Sequence, residues 1–126
     1  MPSRTTVAVT TASIAAGSNA LVSATGFKGY NLYSIQVNQP AWVTVYSSTS
    51  ARTADLSRAK TTDPTPGTGV LAEIISNVAV TQLFSPGVVC YSSESPATTS
   101  IPLKIYNNGN STVAITATLT LLQTEQ

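Results

Sequence analysis

Side chains that could do acid–base or ion-pair chemistry are concentrated in residues 47–69, which read SSTSARTADLSRAKTTDPTPGTG. In a chain with only 9% charged residues, this segment holds Arg52, Asp55, Arg58, Lys60 and Asp63. Arg52 and Asp55 are three residues apart, as are Asp55 and Arg58, so one helical turn would bring Asp55 to either arginine. An anion site needs excess positive charge, and a catalytic site needs a group that titrates near neutrality. The pattern shows neither.

We therefore interpret residues 47–69 as a connection that holds itself in place. ARTADLSRAK is the run most compatible with a helix, and DPTPGTG is stiff because its prolines fix their own backbone angles while Gly67 and Gly69 permit tight turns. The prediction is a crossover about twenty residues long that caps one end of the domain through internal Arg–Asp pairs. Because long ordered loops often carry function, a contact role is the second interpretation. The candidate loop or interface residues are Arg52, Asp55, Arg58 and Asp63.

Outside that segment, the residue types that enzymes use are scarce. The chain has no histidine, which is the commonest general base and transition-metal ligand, so a Ser-His-Asp or Cys-His system is impossible. Cys90 has no basic residue near it in GVVCYS, which favours a buried and inert thiol. The carboxylates do not cluster as in a Ca²⁺ loop or a glycosidase pair, and the glycines form no nucleotide-binding motif. We expect no enzymatic activity, no metal and no cofactor.

Trp42 and Tyr46 are the candidate aromatic contact residues. In AWVTVY, Val43 and Val45 alternate with Trp42, Thr44 and Tyr46, so both faces of this predicted strand carry apolar area. The pattern favours a tryptophan packed inside the domain or under the following loop. The alternative is an exposed aromatic platform for a sugar ring or a partner subunit, because Trp and Tyr are enriched at binding hot spots.

The elements that must position these residues are strands. STVAITATLTLL alternates apolar residues with Ala and Thr at a period of two, which is typical of a half-buried strand. Shorter patterns of this kind recur along the chain between clusters of Gly, Pro, Asn and Ser. They predict an all-β fold, an antiparallel β-sandwich or jelly roll of about eight strands, with one long loop containing a short helical turn.

Length and turn chemistry add three expectations. At 126 residues the chain is predicted to be one sandwich domain, 1–126, in which residues 1–6 form a possible flexible or subunit-contacting arm. The Asn-Gly step of NNGN, residues 107–110, predicts a hairpin that makes IPLKIY and STVAIT neighbouring strands. Pro102 cannot donate a ladder hydrogen bond, so its strand is predicted to lie at an edge or to begin there.

Charge and cysteine content argue against several kinds of partner. With a net charge of +1 and no basic run, the chain lacks the attraction that drives most binding to nucleic acid or anionic membranes. No apolar run approaches the roughly 20 residues of a membrane helix. Its single cysteine cannot form an internal disulfide. We expect no nucleic acid and no membrane as partners, whereas a nearly neutral surface would let copies of the chain crowd together without repulsion.

Three stretches carry a resemblance to a known family: AWVTVYSSTSARTADLSRAKTTDPTPGTGVLAEII, SPGVVCYSSE and IPLKIYNNGNSTVAITATLTLLQ. Their pattern of RTAD, DP.PG.GV.AE and PGV resembles a small β-domain found in virion structural proteins of tailed bacteriophages, cyanophages especially. The similarity runs from about Ser13 to Gln123.

This resemblance implies a non-enzymatic capsid decoration (cement) protein that binds and stabilises the phage head shell. Its implied partners are the major capsid protein and copies of itself, as a homodimer or homotrimer, on the capsid surface of a virion assembled from proteins made in the host cytoplasm. The alternative is a tail-fibre or baseplate module that binds host surface glycans, with Trp42 and Tyr46 as the stacking residues. A hydrolase is the least supported interpretation, since it would rest only on the versatility of β-sandwiches.

Overall fold

A computed structural model describes residues 3–125 of the chain. The eight strands form two four-stranded antiparallel sheets in the orders β1-β8-β3-β6 and β2-β7-β4-β5, which confirms the predicted all-β sandwich. In chain order, the elements are β1 Thr5–Thr10, β2 Asn19–Thr25, β3 Gly29–Val37, β4 Ala41–Tyr46, α1 Thr49–Ala54, β5 Val70–Ser76, β6 Val80–Tyr91, β7 Ser100–Asn107 and β8 Thr116–Glu125.

The strand pairs are nested inside one another. β1 pairs with β8, β2 with β7, β3 with β6 and β4 with β5, all antiparallel. One long antiparallel hairpin of four strand pairs, wrapped into two sheets, gives this order. The sandwich is therefore a jelly roll, the double-sheet architecture that leaves only two free edges in each sheet.

The hydrophobic core lies between the two sheets and follows from the period-two alternation of the strands. On β8, the inward side chains Ala117, Leu119 and Leu121 are fully buried, while the threonines between them point outward. Strand β4 differs because all six of its residues are buried, so its outward face is covered as well as its inward face. The other fully inaccessible aliphatic side chains are Leu32, Ile35, Ala41, Val43, Val45, Leu103, Ile105 and Ile115.

The predicted hairpin at residues 107–110 is wrong, because β7 and β8 lie in different sheets. The segment between them crosses from one sheet to the other, and the side chain of Asn107 organises it. Asn107 Nδ2 donates to the carbonyl oxygens of Ile14 and Ser111, both at 2.8 Å, and its Oδ1 accepts from Gly109 N at 2.9 Å. These contacts tie the crossing segment to the backbone at Ile14 and hold its turn at Gly109 and Ser111.

The predicted edge position of Pro102 is also wrong, since β7 is an inner strand between β2 and β4. Pro102 is opposite Ser23 of β2, but the pairing of β7 with β4 begins only at Leu103. The proline therefore lies at the margin of one ladder, where an inner strand tolerates it.

The predicted arm of residues 1–6 is too long. Thr5 and Thr6 already belong to β1, opposite Leu121 and Thr120 of β8, and backbone pairing fixes them in the sheet. Residues 1–2 of the predicted arm lie outside the described residues. Within residues 3–125, no helix is long and apolar enough to cross a membrane.

Candidate functional site

Residues 47–69 lie over the outward face of the β2-β7-β4-β5 sheet. The helix α1 packs on β4 and β7, and side chains after it bond to outward-facing residues of the sheet. The predicted capping of one end of the sandwich is therefore wrong, and so is the predicted crossover, because β4 and β5 are hydrogen-bonded neighbours. The segment is a long hairpin connection that folds back onto its own sheet, because that face carries the polar partners for its charged side chains.

Local sequence sets the start of this connection. Ser48, in an extended conformation, is the N-cap of α1, and its hydroxyl accepts a hydrogen bond from Ala51 N at 3.0 Å. Asp55 is the C-cap, and its carbonyl oxygen accepts from the Arg58 N–H at 3.1 Å in the turn that follows. The helix thus ends before Arg58, and the turn brings the Asp55 and Arg58 side chains together.

Gly69 sets the end of the connection, where its carbonyl accepts a hydrogen bond from Ser47 N at 2.9 Å. Its φ is +90°, in the left-handed region that glycine adopts readily. A Cβ at Gly69 would lie 2.6 Å from Ala51 Cβ and 2.9 Å from Ser47 Oγ. Gly67 also has a positive φ, of +82°, which confirms the predicted role of both glycines in tight turns.

Beneath the connection, three polar side chains form a row across the sheet. Glu73 of β5 is opposite Thr44 of β4, which is opposite Lys104 of β7 on its other side. Thr44 Oγ1 donates to Glu73 Oε2 at 3.2 Å. The Lys104 side chain is only 1% exposed, although it points away from the core, because the connection covers it.

Asp55 and Arg58 attach the connection to this row. Arg58 Nε donates to Asp55 Oδ1 at 2.8 Å and its second terminal nitrogen to Asp55 Oδ2 at 3.0 Å, a two-point ion pair, while the same guanidinium bonds Glu73. Tyr46 O–H donates to Asp55 Oδ2 at 2.6 Å, and Lys104 Nζ donates to the Asp55 carbonyl oxygen at 3.1 Å. We call Tyr46, Asp55, Arg58, Glu73 and Lys104 the ion network.

The ion network is balanced in charge, with two carboxylates facing two cations. The Arg58 and Lys104 side chains are 8% and 1% exposed, and those of Asp55 and Glu73 are 13% and 19% exposed. A charge removed from water to this degree is tolerated only when it is paired and hydrogen-bonded, and losing one partner is costly. The network therefore acts as a latch between the connection and the sheet.

The pKa shifts agree with a structural role. Burial disfavours the charged form of Asp55, but hydrogen bonds from Arg58 and Tyr46 outweigh it, so the pKa of this carboxyl lies below its ordinary value. The hydrogen bond to Asp55 raises the pKa of the Arg58 guanidinium, and burial followed by the bond to Asp55 raises the pKa of Tyr46. Burial lowers the pKa of Lys104, with Asp55 acting in the opposite direction. The shifts of Asp55, Arg58 and Tyr46 all lead away from neutrality, which suits a network that holds structure.

The other two candidate loop residues lie apart from the ion network. A terminal nitrogen of Arg52 donates to the Val22 carbonyl at 2.7 Å and to Ser23 Oγ at 3.4 Å, so Arg52 ties the connection to β2. Because the Arg52 guanidinium bonds to β2, Asp55 pairs with Arg58, although the spacing allowed it to pair with either arginine. Asp63 is exposed, in the turn after the ion network, where it lines a depression of about 300 Å³.

The candidate aromatic contact residues are both buried, at 3% exposure for Trp42 and 1% for Tyr46. The Trp42 ring lies under the connection, with Lys104 Nζ 4.4 Å and the Arg58 guanidinium carbon 5.3 Å from its centroid. Tyr106 meets it edge to face at 5.6 Å between centroids. The packing interpretation is confirmed. An exposed platform at these two residues is wrong, because both side chains are buried and the chain's own cations lie over the Trp42 ring.

Cys90 is buried at 1% exposure, as predicted, and faces the core from β6. Burial raises the pKa of its thiol to about 12, so little thiolate forms at neutral pH. Among residues 3–125, no three His, Cys, Asp or Glu side chains are close enough together to hold a metal ion.

Sequence reasoning missed Glu73 and Lys104, which complete the ion network. Both lie in apolar strands, in VLAEIIS and IPLKIY, and each is the one charge among apolar neighbours on both sides. Such a lone charge in a strand with two apolar faces was the available signal that a covered ionic partner exists. A lone charge does not reveal which residue it pairs with, because that depends on the register between strands. Here the partners are far apart in sequence: Thr44 is 29 residues from Glu73, and Asp55 is 49 residues from Lys104.

Comparison of the chain with protein-family models, curated proteins and solved structures found no match. The structure does locate the motifs quoted above. RTAD spans residues 52–55, and the final residue of DP.PG.GV.AE is Glu73. These motifs therefore contain Arg52, Asp55 and Glu73, three of the side chains that fasten the connection to the sheet.

Removal of the Asp55 carboxylate is expected to destabilise the fold. In Asp55→Ala, Arg58 and Lys104 would share only Glu73, and the Tyr46 hydroxyl would lose its acceptor. We expect a loss of about 2–3 kcal/mol in the free energy of unfolding, below the values for fully buried pairs because Asp55 is partly accessible. Urea denaturation followed by Trp42 fluorescence measures it.

Asp63→Ala is the matched control, since it removes the same charge from an exposed position of the same connection. Its free energy of unfolding should stay within about 0.5 kcal/mol of the wild type. Equal stability of Asp55→Ala and Asp63→Ala would contradict the latch.

The contribution of Asp55 should depend on pH in the acid range. Because the folded-state pKa of Asp55 is lowered, its stabilisation is fully present above the unfolded value of about 3.9 and is lost as pH falls through the folded value. The difference in unfolding free energy between wild type and Asp55→Ala should therefore be constant from about pH 7 to about pH 5 and shrink below about pH 4. Thermal unfolding at a series of pH values tests this, and a difference that persists unchanged at about pH 2 would refute it.

Proposed function

We propose that the chain is a non-enzymatic structural protein of a phage virion, specifically a capsid decoration protein that binds and stabilises the head shell. Its partners in this proposal are the major capsid protein and further copies of itself, and its location is the capsid surface. The proposal begins from the resemblance of RTAD, DP.PG.GV.AE and PGV to the virion β-domain. A jelly roll is compatible with it, because viral capsid and lectin domains use this architecture, although a fold alone does not define a function.

One structural observation carries the proposal furthest: the two sheets present very different outward faces. The β2-β7-β4-β5 sheet is covered by the chain's own connection, and the charged side chains beneath it are paired with one another in the ion network. The β1-β8-β3-β6 sheet has an outward face of mostly uncharged side chains that includes Leu83, Val89 and Tyr91, all exposed. A face of this kind binds by shape and apolar contact, as expected for a protein seated on a repetitive shell.

The ion network suits the same role. A decoration protein must keep one shape while it makes many weak contacts, and a latched connection supplies a rigid surface from a chain without disulfides. The motif residues Arg52, Asp55 and Glu73 then have a structural explanation, since they maintain the shape of the domain and need no ligand of their own.

The alternative, a tail-fibre or baseplate module that binds host glycans, is favoured by a single feature. A groove of about 400 Å³ lies beside the half-buried Tyr106 and is also lined by Asn19, Trp42, Lys60 and Thr61. An aromatic ring next to polar side chains is the usual composition of a sugar subsite. However, Lys60 Nζ lies 5.4 Å from the Tyr106 ring centroid and occupies part of that face. The alternative therefore ranks second, and its accessible aromatic ring would be Tyr106, since Trp42 in the wall of the same groove is only 3% exposed and Tyr46 does not line the groove.

The location of the protein on the particle tests the proposal. Purified virions are labelled with a gold-conjugated antibody against this chain and imaged by electron microscopy. We expect label distributed over the head. A second antibody against the major capsid protein serves as the control for accessibility of the head surface.

Label confined to the tail would replace the proposal by the glycan-binding alternative and make Tyr106→Ala in an adsorption assay the next experiment. Virions that contain no trace of the chain by mass spectrometry would reject both.

A further inference from the structure

The groove beside Tyr106 lies where the connection meets strands β2, β7 and β4. Its sheet wall is one cross-strand row, in which Asn19 is opposite Tyr106 and Tyr106 is opposite Trp42. Its other wall comes from the connection and includes Lys60 and Thr61. The volume of about 400 Å³ is near the lower end of the range of ligand pockets, about 300–1,000 Å³, so the groove suits a small group such as a single sugar ring.

The groove contains a cation that no carboxylate neutralises. None of the described residues that line it is acidic. Arg58 is one of them, but its guanidinium already bonds Asp55 and Glu73. Lys60 takes part in none of the ion pairs in the described part of the chain, and its ammonium donates to the amide oxygen of Asn108. An anionic group that enters the groove would therefore meet an uncompensated positive charge.

Trp42 adds a hydrogen-bond donor without a partner. Its Nε1–H makes no hydrogen bond within residues 3–125, and the side chain is only 3% exposed. Buried donors are nearly always paired, so an orphaned donor on a residue that lines a groove points to a ligand acceptor. Leu56 and Lys60, which line the same groove, are exposed and can change rotamer as a ligand enters. A ligand oxygen that reaches the indole would remove the cost of the unpaired donor.

Tyr106 gives the groove an aromatic ring that is partly accessible, and Lys60 Nζ lies 5.4 Å from its centroid. For a neutral sugar this ammonium is an obstacle, because it covers part of the stacking face. For a sugar that carries a carboxylate it is a partner, because the sugar ring can lie on the rest of Tyr106 while the carboxylate pairs with Lys60. The contact that argues against neutral glycans therefore favours acidic ones.

We propose that this groove binds a sugar that carries a carboxylate, a uronic acid unit. Lys60 pairs with the carboxylate, Tyr106 contacts the apolar face of the sugar ring, and Trp42 Nε1–H donates to a ring hydroxyl. A bare inorganic anion would leave the aromatic wall unused, and a neutral hexose would leave Lys60 without an anion. The inference goes beyond the proposed function and does not rest on it, because the groove offers the same contacts whether the chain lies on the head or on the tail.

An NMR titration of the isotopically labelled full chain tests the inference, because the chain has a single tryptophan and gives one indole N–H signal. The three ligands are glucuronate, glucose and acetate, which supply ring and carboxylate together, the ring alone and a carboxylate alone. Glucuronate, with about 13 heavy atoms, should shift the Trp42 indole signal and bind with a Kd of about 1 mM. Glucose and acetate should each bind at least about fivefold more weakly, since each lacks one of the two contacts.

Lys60→Gln removes the charge from the groove, so its affinity for glucuronate should fall about fivefold, to that of the wild type for glucose. Lys28→Gln is the matched control, because it makes the same substitution and the same change in net charge at a half-buried lysine that does not line the groove. Its Kd for glucuronate should stay within about twofold of the wild type at about 0.15 M salt. The amide spectra of both variants establish that they are folded.

An indole signal that does not move with glucuronate at about tenfold above the expected Kd would overturn the inference. Equal binding of acetate would also overturn it, by reducing the groove to a site for any small anion, and so would equal binding of glucose or an unchanged Kd in Lys60→Gln. None of these outcomes bears on the capsid role, which the labelling of virions decides separately.

Discussion

The pairing of Arg58 with both Asp55 and Glu73 is the interaction on which the arrangement of this molecule depends. One guanidinium joins a carboxylate of the long connection to a carboxylate of β5, above the buried Lys104 and Trp42. If it were removed, the outward face of the β2-β7-β4-β5 sheet would have to expose a tryptophan and leave a lysine without its carboxylate. The ion network therefore keeps the outward face of the β2-β7-β4-β5 sheet covered.

The difference between the covered sheet and the uncovered sheet follows from composition as well as geometry. The chain has eleven charged side chains, six basic and five acidic, and four of them belong to the ion network. Few charged side chains are therefore left for the solvent-exposed surface. Its solubility depends instead on Thr, Ser, Asn and Gln. That surface produces neither strong repulsion nor a strong electrostatic field.

The sequence allowed the strand content, the burial of Cys90 and an Arg–Asp pair at Asp55 to be predicted, because all three are local properties of spacing and alternation. It left open whether Arg52 or Arg58 is the partner of Asp55. It misled at residues 107–110, where Asn-Gly signals a hairpin and yet the chain crosses between sheets, with Asn107 bonding Ile14 from the far end of the sequence. Glu73 and Lys104 could not be joined to Asp55 without the register of β4, β5 and β7. Strand register in a jelly roll depends on pairs such as β1 and β8 at opposite ends of the chain, and no short window contains it.

Hydrogen exchange of residues 47–69, followed by mass spectrometry, tests most directly whether the ion network latches the connection to the sheet. The latch predicts slow exchange in the wild type for the amides of Arg52, Asp55 and Arg58, which bond to Ser48, Ala51 and Asp55 carbonyls. It also predicts that Asp55→Ala speeds exchange in this segment while peptides from β3 and β8 keep their protection. Exchange of residues 47–69 in the wild type as fast as in an unfolded peptide would contradict the account, because the connection would then be unattached and both sheets equally open.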